Sequence, residues 1–162
     1  MIRVILAVVL AVLAAGSAHA DLVIKSSPGG WVEDYLTVFS RVRQSGEKVI
    51  IDGPCLSACT LVLSTVPSNR ICVTKRAVLG FHAPRIIDRR SGRSARAPEA
   101  TRIVIDSYPA GVRAWIKKRG GLSQKLIYLR GRELQALATA RPGLSLSLTC
   151  GKDHSGLMQD RA

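Results

Sequence analysis

What this chain of 162 residues lacks narrows its chemistry first. No G-x-x-x-x-G-K-[ST] segment occurs, which removes the phosphate-cradling nucleotide loop. No Cys-x-x-Cys occurs either, and Cys55-x3-Cys59 with Cys72 and Cys150 far away lacks the paired spacing of a structural zinc site. Neither a metal nor a cofactor is therefore expected. Aromatic residues make up only 4% of the chain, and none is interleaved among the basic residues to stack a base, so nucleic acid is not an expected partner. Acid is scarce as well: 11 Asp and Glu stand against 24 Lys and Arg, a formal charge of +13. That excess favours acidic partners such as anionic head groups or envelope polymers, through long-range attraction rather than through the fold. There is no internal repeat, and long apolar runs are absent beyond the first 20 residues.

Those first residues have a different character. Arg3 is a short basic region, residues 4–15 are an apolar run, and Ala18-His19-Ala20 is a small-x-small cleavage site. Residues 1–20 read as a signal peptide, because the apolar run is shorter than the roughly 20 residues a membrane-spanning helix needs. Its removal takes away one arginine and no acid, so the charge hardly changes. Residues 21–150 suit a single domain with one core, and residues 151–162 read as a frayed tail. Export implies a periplasmic or secreted protein whose thiols oxidise, and Cys55, Cys59, Cys72 and Cys150 are then candidates for two disulfides with three possible pairings. At least one of Cys55 and Cys59 is expected to reach Cys72 or Cys150, bracing the turn between them or pinning the C-terminal segment.

Along the mature chain the hydrophobic period alternates. Residues 22–25 are strand-like and end in Ser27-Pro28-Gly29-Gly30, a turn composition. Val32, Leu36, Phe39 and Val42 then share one helical face, with Gly46 placed to end that helix. Residues 48–52 read as a buried strand closed by Gly53-Pro54, and Ser57 opens a buried helix, SACTLVLSTV. Residues 71–74 and 77–82 give two more strands. Strand, helix, strand, helix, strand, strand points to an α/β layer with a mostly parallel sheet. Residues 88–97, with Arg89, Arg90, Arg93 and Arg96 close to Arg85, read as a solvated loop. Pro98 and Pro109 start two helices, Gly120-Gly121 ends the second, and further short helices are expected at Ser123 and over residues 132–138.

Ser57, delivered by a strand end to the start of a helix, leaves first-turn N–H groups free for an oxyanion. The Pro28-Gly29-Gly30 turn can supply another N–H, because glycine lets a carbonyl approach the main chain closely. His82, at a strand end in GFHAP, is the one histidine of the expected core, since His19 lies in the signal and His154 in the tail. A serine, a histidine and two backbone donors are the parts needed for nucleophilic acyl transfer. Each also has a plainer reading: Ser57 as a helix cap, His82 as a structural hydrogen-bonder, the glycine turn as an ordinary loop.

In order and combination these motifs resemble the ClpP/crotonase superfamily, most closely exported relatives of the Clp protease proteolytic subunit. Ser26-Ser27-Pro28-Gly29-Gly30 is similar to the family's N-S-P-G-G turn, Gly53-Pro54-Cys55-Leu56-Ser57 to its G-x-x-x-S turn, and Phe81-His82-Ala83-Pro84 to its I-H-x-P, with the family's Ser-to-His separation. The resemblance covers residues 22–84. It implies a layered α/β fold with a small, mostly parallel sheet and flanking helices, Ser57 as nucleophile, His82 as base, and the Gly30 and Ala58 N–H groups as oxyanion hole. It also implies a peptide or acyl substrate and assembly into a homo-oligomer. The family's orienting acid falls on residues 125–129 (KLIYL), where no Asp or Glu stands, so Asp106 is the candidate substitute, with Asp88 behind it. The front strands of the family are missing here, so the sheet is expected to be smaller or completed by a partner chain.

The expected function is serine-dependent acyl hydrolysis, peptide bonds included. The competing expectation is an inactive relative that binds a ligand or serves structurally in the cell envelope. Arg113, Lys117 and Lys118, beside Arg119, form a cationic helix face that suits an anionic envelope surface.

Overall fold

The computed structural model describes residues 20–88 and 90–139 together with Leu146 and Cys150. Most of the expected signal peptide, with His19, lies outside the described residues, as do Arg89, the expected tail and His154. In chain order the elements are β1 (Leu22–Ile24), α1 (Val32–Ser45), β2 (Val49–Ile51), β3 (Pro54–Leu56), a 3-10 helix (Ser57–Leu61), α2 (Val62–Thr65), a second 3-10 turn (Ser68–Arg70), β4 (Ile71–Val73), β5 (Val78–Phe81), β6 (Arg85–Ile87), β7 (Ser94–Arg96), α3 (Pro98–Ser107), α4 (Ala110–Lys118), β8 (Ile127–Arg130) and α5 (Gly131–Thr139). The fold is mixed α/β, with small sheets and five α-helices among the described residues.

The strands are short, and their β-branched residues are used in two small sheets. The first is parallel, in the order β1-β2-β4, with Val23 opposite Ile50 and Ile50 opposite Cys72. In the second, β3 runs parallel to β5 and β8 runs antiparallel to β5. The chain leaves the first sheet at the end of β2 and enters the second as β3. Gly53 makes that crossing possible, because a Cβ there would stand 1.9 Å from the Lys25 carbonyl oxygen. The sheets also join where Ser27, just past β1, forms a parallel bridge with Cys55. Asp52, at the crossing, accepts from Thr74 at 2.7 Å and pairs with Arg76. Arg76 first and Thr74 second hold its carboxyl below the ordinary carboxylate range.

α1 packs on the first sheet through Phe39 and Val42, which are buried, and through Val32 and Tyr35. Leu36, expected on that face, is instead 40% exposed, so the buried stripe runs through Tyr35 rather than Leu36. Gly46 takes the left-handed conformation, φ 84°, and ends the helix as its position suggests. Under the second sheet, Phe81 meets the Tyr108 ring edge-on at 5.4 Å and the Trp115 ring at 5.6 Å. Phe81, Leu79, Leu129 and Ile116 are all essentially sealed from solvent. Burial of each such side chain contributes about 1.5–3 kcal/mol. α4 and α5 are tied by Glu133, which accepts from the Trp115 indole and the Arg119 guanidinium at 2.8 Å, while Arg119 lies 5.2 Å above the Trp115 ring.

Three expectations are corrected. Residues 88–97 are not simply a loop: β6 and β7 form a two-stranded ribbon whose turn is held by Asp88, which accepts from the Arg90 N–H and the Ser91 hydroxyl. No helix forms at Ser123, and the KLIYL segment carries β8, whose pairing with β5 decides its conformation. The disulfides are Cys55–Cys59 and Cys72–Cys150, so Cys55 and Cys59 bind each other rather than a distant partner. Two disulfides with no free cysteine among the described residues point to an oxidising, non-cytoplasmic setting. Among the described residues no helix is long and apolar enough to cross a membrane.

Cys72–Cys150 closes a loop with a sequence separation of 78, tying the C-terminal segment to the outer strand of the first sheet. Replacing both cysteines by serine is expected to lower stability by about 2–4 kcal/mol, because the unfolded chain regains its loop freedom. Urea denaturation of the oxidised protein beside the Cys72→Ser/Cys150→Ser form measures this, and equal midpoints would refute it.

Candidate active site

The parallel register of β3 and β5 sets Leu56 opposite Gly80. Ser57 follows the first strand by one residue and His82 follows its partner residue by two, so neighbouring strand ends deliver both side chains to one place. Ser57 Oγ and His82 Nε2 are 2.7 Å apart. The other ring nitrogen, Nδ1, lies 2.8 Å from the carbonyl oxygen of Ala83. A carbonyl can only accept, so Nδ1 carries the proton and Nε2 presents its lone pair to the serine hydroxyl. That is the tautomer a general base needs. The Ala83 peptide is itself anchored, its N–H donating to the Ser123 carbonyl at 2.7 Å.

Ser57 has φ 55° and is the one non-glycine residue with positive φ among the described residues. A left-handed conformation costs a residue with a side chain on the order of 1 kcal/mol and persists where the surroundings impose it. Three restraints do so. The Cys55–Cys59 disulfide brackets the serine, with both cysteines fully buried. Thr60 Oγ1 donates to the Ser57 carbonyl at 2.7 Å. Its single proton is then committed, so the Tyr108 hydroxyl, 2.7 Å away, must be the donor to Thr60. Tyr108 is buried between these partners and Phe81, and burial pushes its phenol up to about 12.

The third restraint is the Pro28-Gly29-Gly30 turn. Ser27 N–H donates to the Pro54 carbonyl at 2.7 Å and Leu56 N–H donates to the Ser27 carbonyl at 2.9 Å, which clamps this segment beside β3. Gly29, φ 85°, then lies so close to the serine turn that a Cβ would stand 2.5 Å from Ser57 Cβ and 2.6 Å from the Leu56 carbonyl oxygen. The same Cβ would be 3.1 Å from the Ala58 nitrogen, so the glycine segment passes close to the second residue of the 3-10 helix. Gly30 and Ala58 therefore belong to one neighbourhood, and neither N–H donates to an acceptor among the described residues. Beside them, Ser27 and Cys59 border an apolar cavity of about 270 Å³ between β1 and α1, walled by Ile24, Tyr35 and Phe39.

Comparison of the chain with protein-family models, curated proteins and solved structures gives no match. The site therefore has to be read from its own geometry.

The candidate acid is not part of that geometry. Asp106 is exposed on α3, where its backbone carbonyl accepts weakly from Arg113, and Asp88 is committed to the β6–β7 turn. Neither is among the hydrogen-bond partners of His82, which are Ser57 and the Ala83 carbonyl. On α4, Arg113 donates to the Tyr108 carbonyl at 2.8 Å and remains exposed, as do Lys117 and Lys118. Among the described residues no cluster of three His, Cys, Asp or Glu could hold a metal ion. Sequence reasoning missed Thr60, Tyr108, the Ala83 carbonyl and the Cys55–Cys59 bridge around Ser57.

Two outcomes follow. Gly29→Ala should displace the Ser57 turn and lower both stability and serine reactivity, whereas Gly92→Ala, whose Cβ would meet nothing within 4 Å, should leave reactivity unchanged; comparison of their probe-labelling rates measures the difference. Tyr108 contributes in the alkaline range. Its folded pKa is raised, so unfolded chain ionises first and stability, constant below about pH 10, falls as pH rises toward about 12. Alkaline urea titrations should show that fall in the native protein and a shallower one in Tyr108→Phe.

Proposed function

We propose that this chain is an exported, serine-dependent acyl hydrolase of ClpP/crotonase type, acting on peptide or other acyl bonds. The observation that carries the reading is the 2.7 Å contact between Ser57 Oγ and His82 Nε2, with Nδ1 occupied by a main-chain acceptor. In this reading Ser57 Oγ attacks the acyl carbon while His82 Nε2 takes its proton. The carbonyl oxygen becomes an oxyanion held by the Gly30 and Ala58 N–H groups. The imidazolium then returns the proton to the leaving group, which departs as the carbonyl re-forms, leaving an acyl-serine ester. Water, deprotonated by His82, releases the acid and frees the serine.

The Ala83 carbonyl supports this mechanism in one respect and limits it in another. It fixes the tautomer, which is the part of a triad acid's work whose loss has cost about 10⁴-fold in rate elsewhere. As a dipole it stabilises the imidazolium less than a carboxylate would. Periplasmic or secreted placement fits the two disulfides and the leader-like residues 1–20. The open outer edge of β1, which has no strand beyond it among the described residues, is consistent with a homo-oligomer.

A second reading, an inactive relative that uses the same turn to bind, is favoured by the absence, among the described residues, of any carboxylate bonded to His82. A fluorophosphonate probe separates the two. Oxidised wild-type protein is expected to be labelled at Ser57, with no adduct in Ser57→Ala and a loss of at least about 10²-fold in labelling rate in His82→Ala. Absence of an adduct in folded wild-type protein would leave the binding reading.

A further inference from the structure

The β6–β7 ribbon has a charge arrangement that the acyl-transfer reading does not use. Its register places Arg85 directly opposite Arg96 and Ile87 opposite Ser94, so these four residues share one face. Every residue of both strands is exposed. Side chains directly opposed in an antiparallel pair have Cβ atoms about 4.5–5.5 Å apart, and like charges there destabilise the pairing. A two-stranded ribbon packed on little else has small reserve to absorb that repulsion. The turn adds Arg90 and Arg93, and none of the guanidinium groups of Arg85, Arg90, Arg93 and Arg96 has a hydrogen-bond or ion-pair partner among the described residues. Asp88, the carboxylate in the turn, spends its oxygens on the Arg90 N–H and the Ser91 hydroxyl, and those bonds hold its pKa below the ordinary value, so it stays ionised and bound to the turn.

An external anion relieves such an arrangement, and the neighbours of the arginines select its kind. Ile87 is 42% exposed on the arginine face and Ile86 is 63% exposed on the other. No aromatic residue lies in residues 85–96 to stack a base. Guanidinium groups around a protruding isoleucine match a lipid surface, where phosphates take the charge and the apolar side chain reaches the acyl boundary. We infer that the β6–β7 ribbon docks this protein on an anionic phospholipid membrane, with Arg85 and Arg96 sharing lipid phosphates and Ile87 seated among them. The surface is distinct from Lys117 and Lys118 on α4, which carry charge without an exposed large apolar neighbour on that helix.

The test is flotation of the full oxidised chain with vesicles of phosphatidylcholine alone and of phosphatidylcholine mixed with phosphatidylglycerol. Binding is expected only to the mixed vesicles and should weaken with salt. Arg85→Gln and Arg96→Gln should each reduce partitioning about fivefold, since a basic residue at such a surface contributes about 1 kcal/mol. Ile87→Ser should also reduce it, by a factor that persists at high salt. Lys117→Gln/Lys118→Gln removes the same charge as the double arginine variant and should change binding much less. Equal losses for the two double variants would reduce the effect to net charge and overturn the inference, as would absence of binding to the mixed vesicles. Should Arg85→Gln/Arg96→Gln fail to fold, Arg90→Gln/Arg93→Gln at the turn is the alternative pair, with the same expected direction. Ser57 labelling of the variants should match wild type, so failure of docking and failure of the hydrolase reading remain separable.

Discussion

The clamp between residues 27 and 56 is the constraint on which the site depends. Two main-chain hydrogen bonds hold the Ser27 peptide against β3, and they bring the Gly29 backbone into van der Waals contact with the serine turn. Everything at the site is measured from that contact. It places the Gly30 and Ala58 N–H groups in one neighbourhood, and it leaves Ser57 no room to relax from its left-handed φ. It also joins the two sheets, which the chain itself links at Gly53 and again between β4 and β5. The left-handed Ser57 therefore coincides with the seam of the fold, where surrounding structure is best able to impose the strain.

Behind the serine, the restraints form a layered support. The Cys55–Cys59 bridge limits the turn covalently, Thr60 fixes its carbonyl, Tyr108 fixes Thr60, and Phe81 packs edge-on against Tyr108. Phe81 is also the residue before His82, so one aromatic side chain contributes to the placement of both reacting groups. The hydroxyl pair Thr60–Tyr108 is buried yet fully satisfied, which makes it a specifying element rather than a cost. A core so arranged uses few aromatics, and three of them converge at this point.

Much of the front half could be read in the sequence because its period changes were strong. Residues 22–25, 48–52, 71–74 and 77–82 are strong strand-like runs, and β1, β2, β4 and β5 fall within them, whereas β3 stands where only a Gly-Pro turn was expected, because its pairing with β5 decides its conformation. The Pro28-Gly29-Gly30, Ser57 and His82 motifs could be located for the same reason: each sits where a strand stops. What could not be read depends on long-range pairing. KLIYL lacks a period that separates strand from helix, and only β5 decides it. The arginine-rich ribbon is polar enough to resemble a loop until its two short strands pair. The disulfide partners were a choice among three, and Tyr108 meets Thr60 across a sequence separation of 48 with no local sign. The partner of His82 Nδ1 was sought among acids, whereas the atom in that position belongs to the main chain.

That last feature has a consequence for how such a site would be detected. The acceptor at His82 Nδ1 is a peptide carbonyl, so it has no side chain to delete, no protonation state to lose and no residue identity by which a motif could reveal it. An alanine scan would return two members and pass over the third, since residue 83 is already alanine. The carbonyl belongs to the Ala83–Pro84 bond, a tertiary amide whose nitrogen has no proton to donate, so that peptide offers only its oxygen to its surroundings. Orientation of the His82 ring is thus encoded in the path of the backbone, and altering it requires moving the chain rather than changing a letter of the sequence.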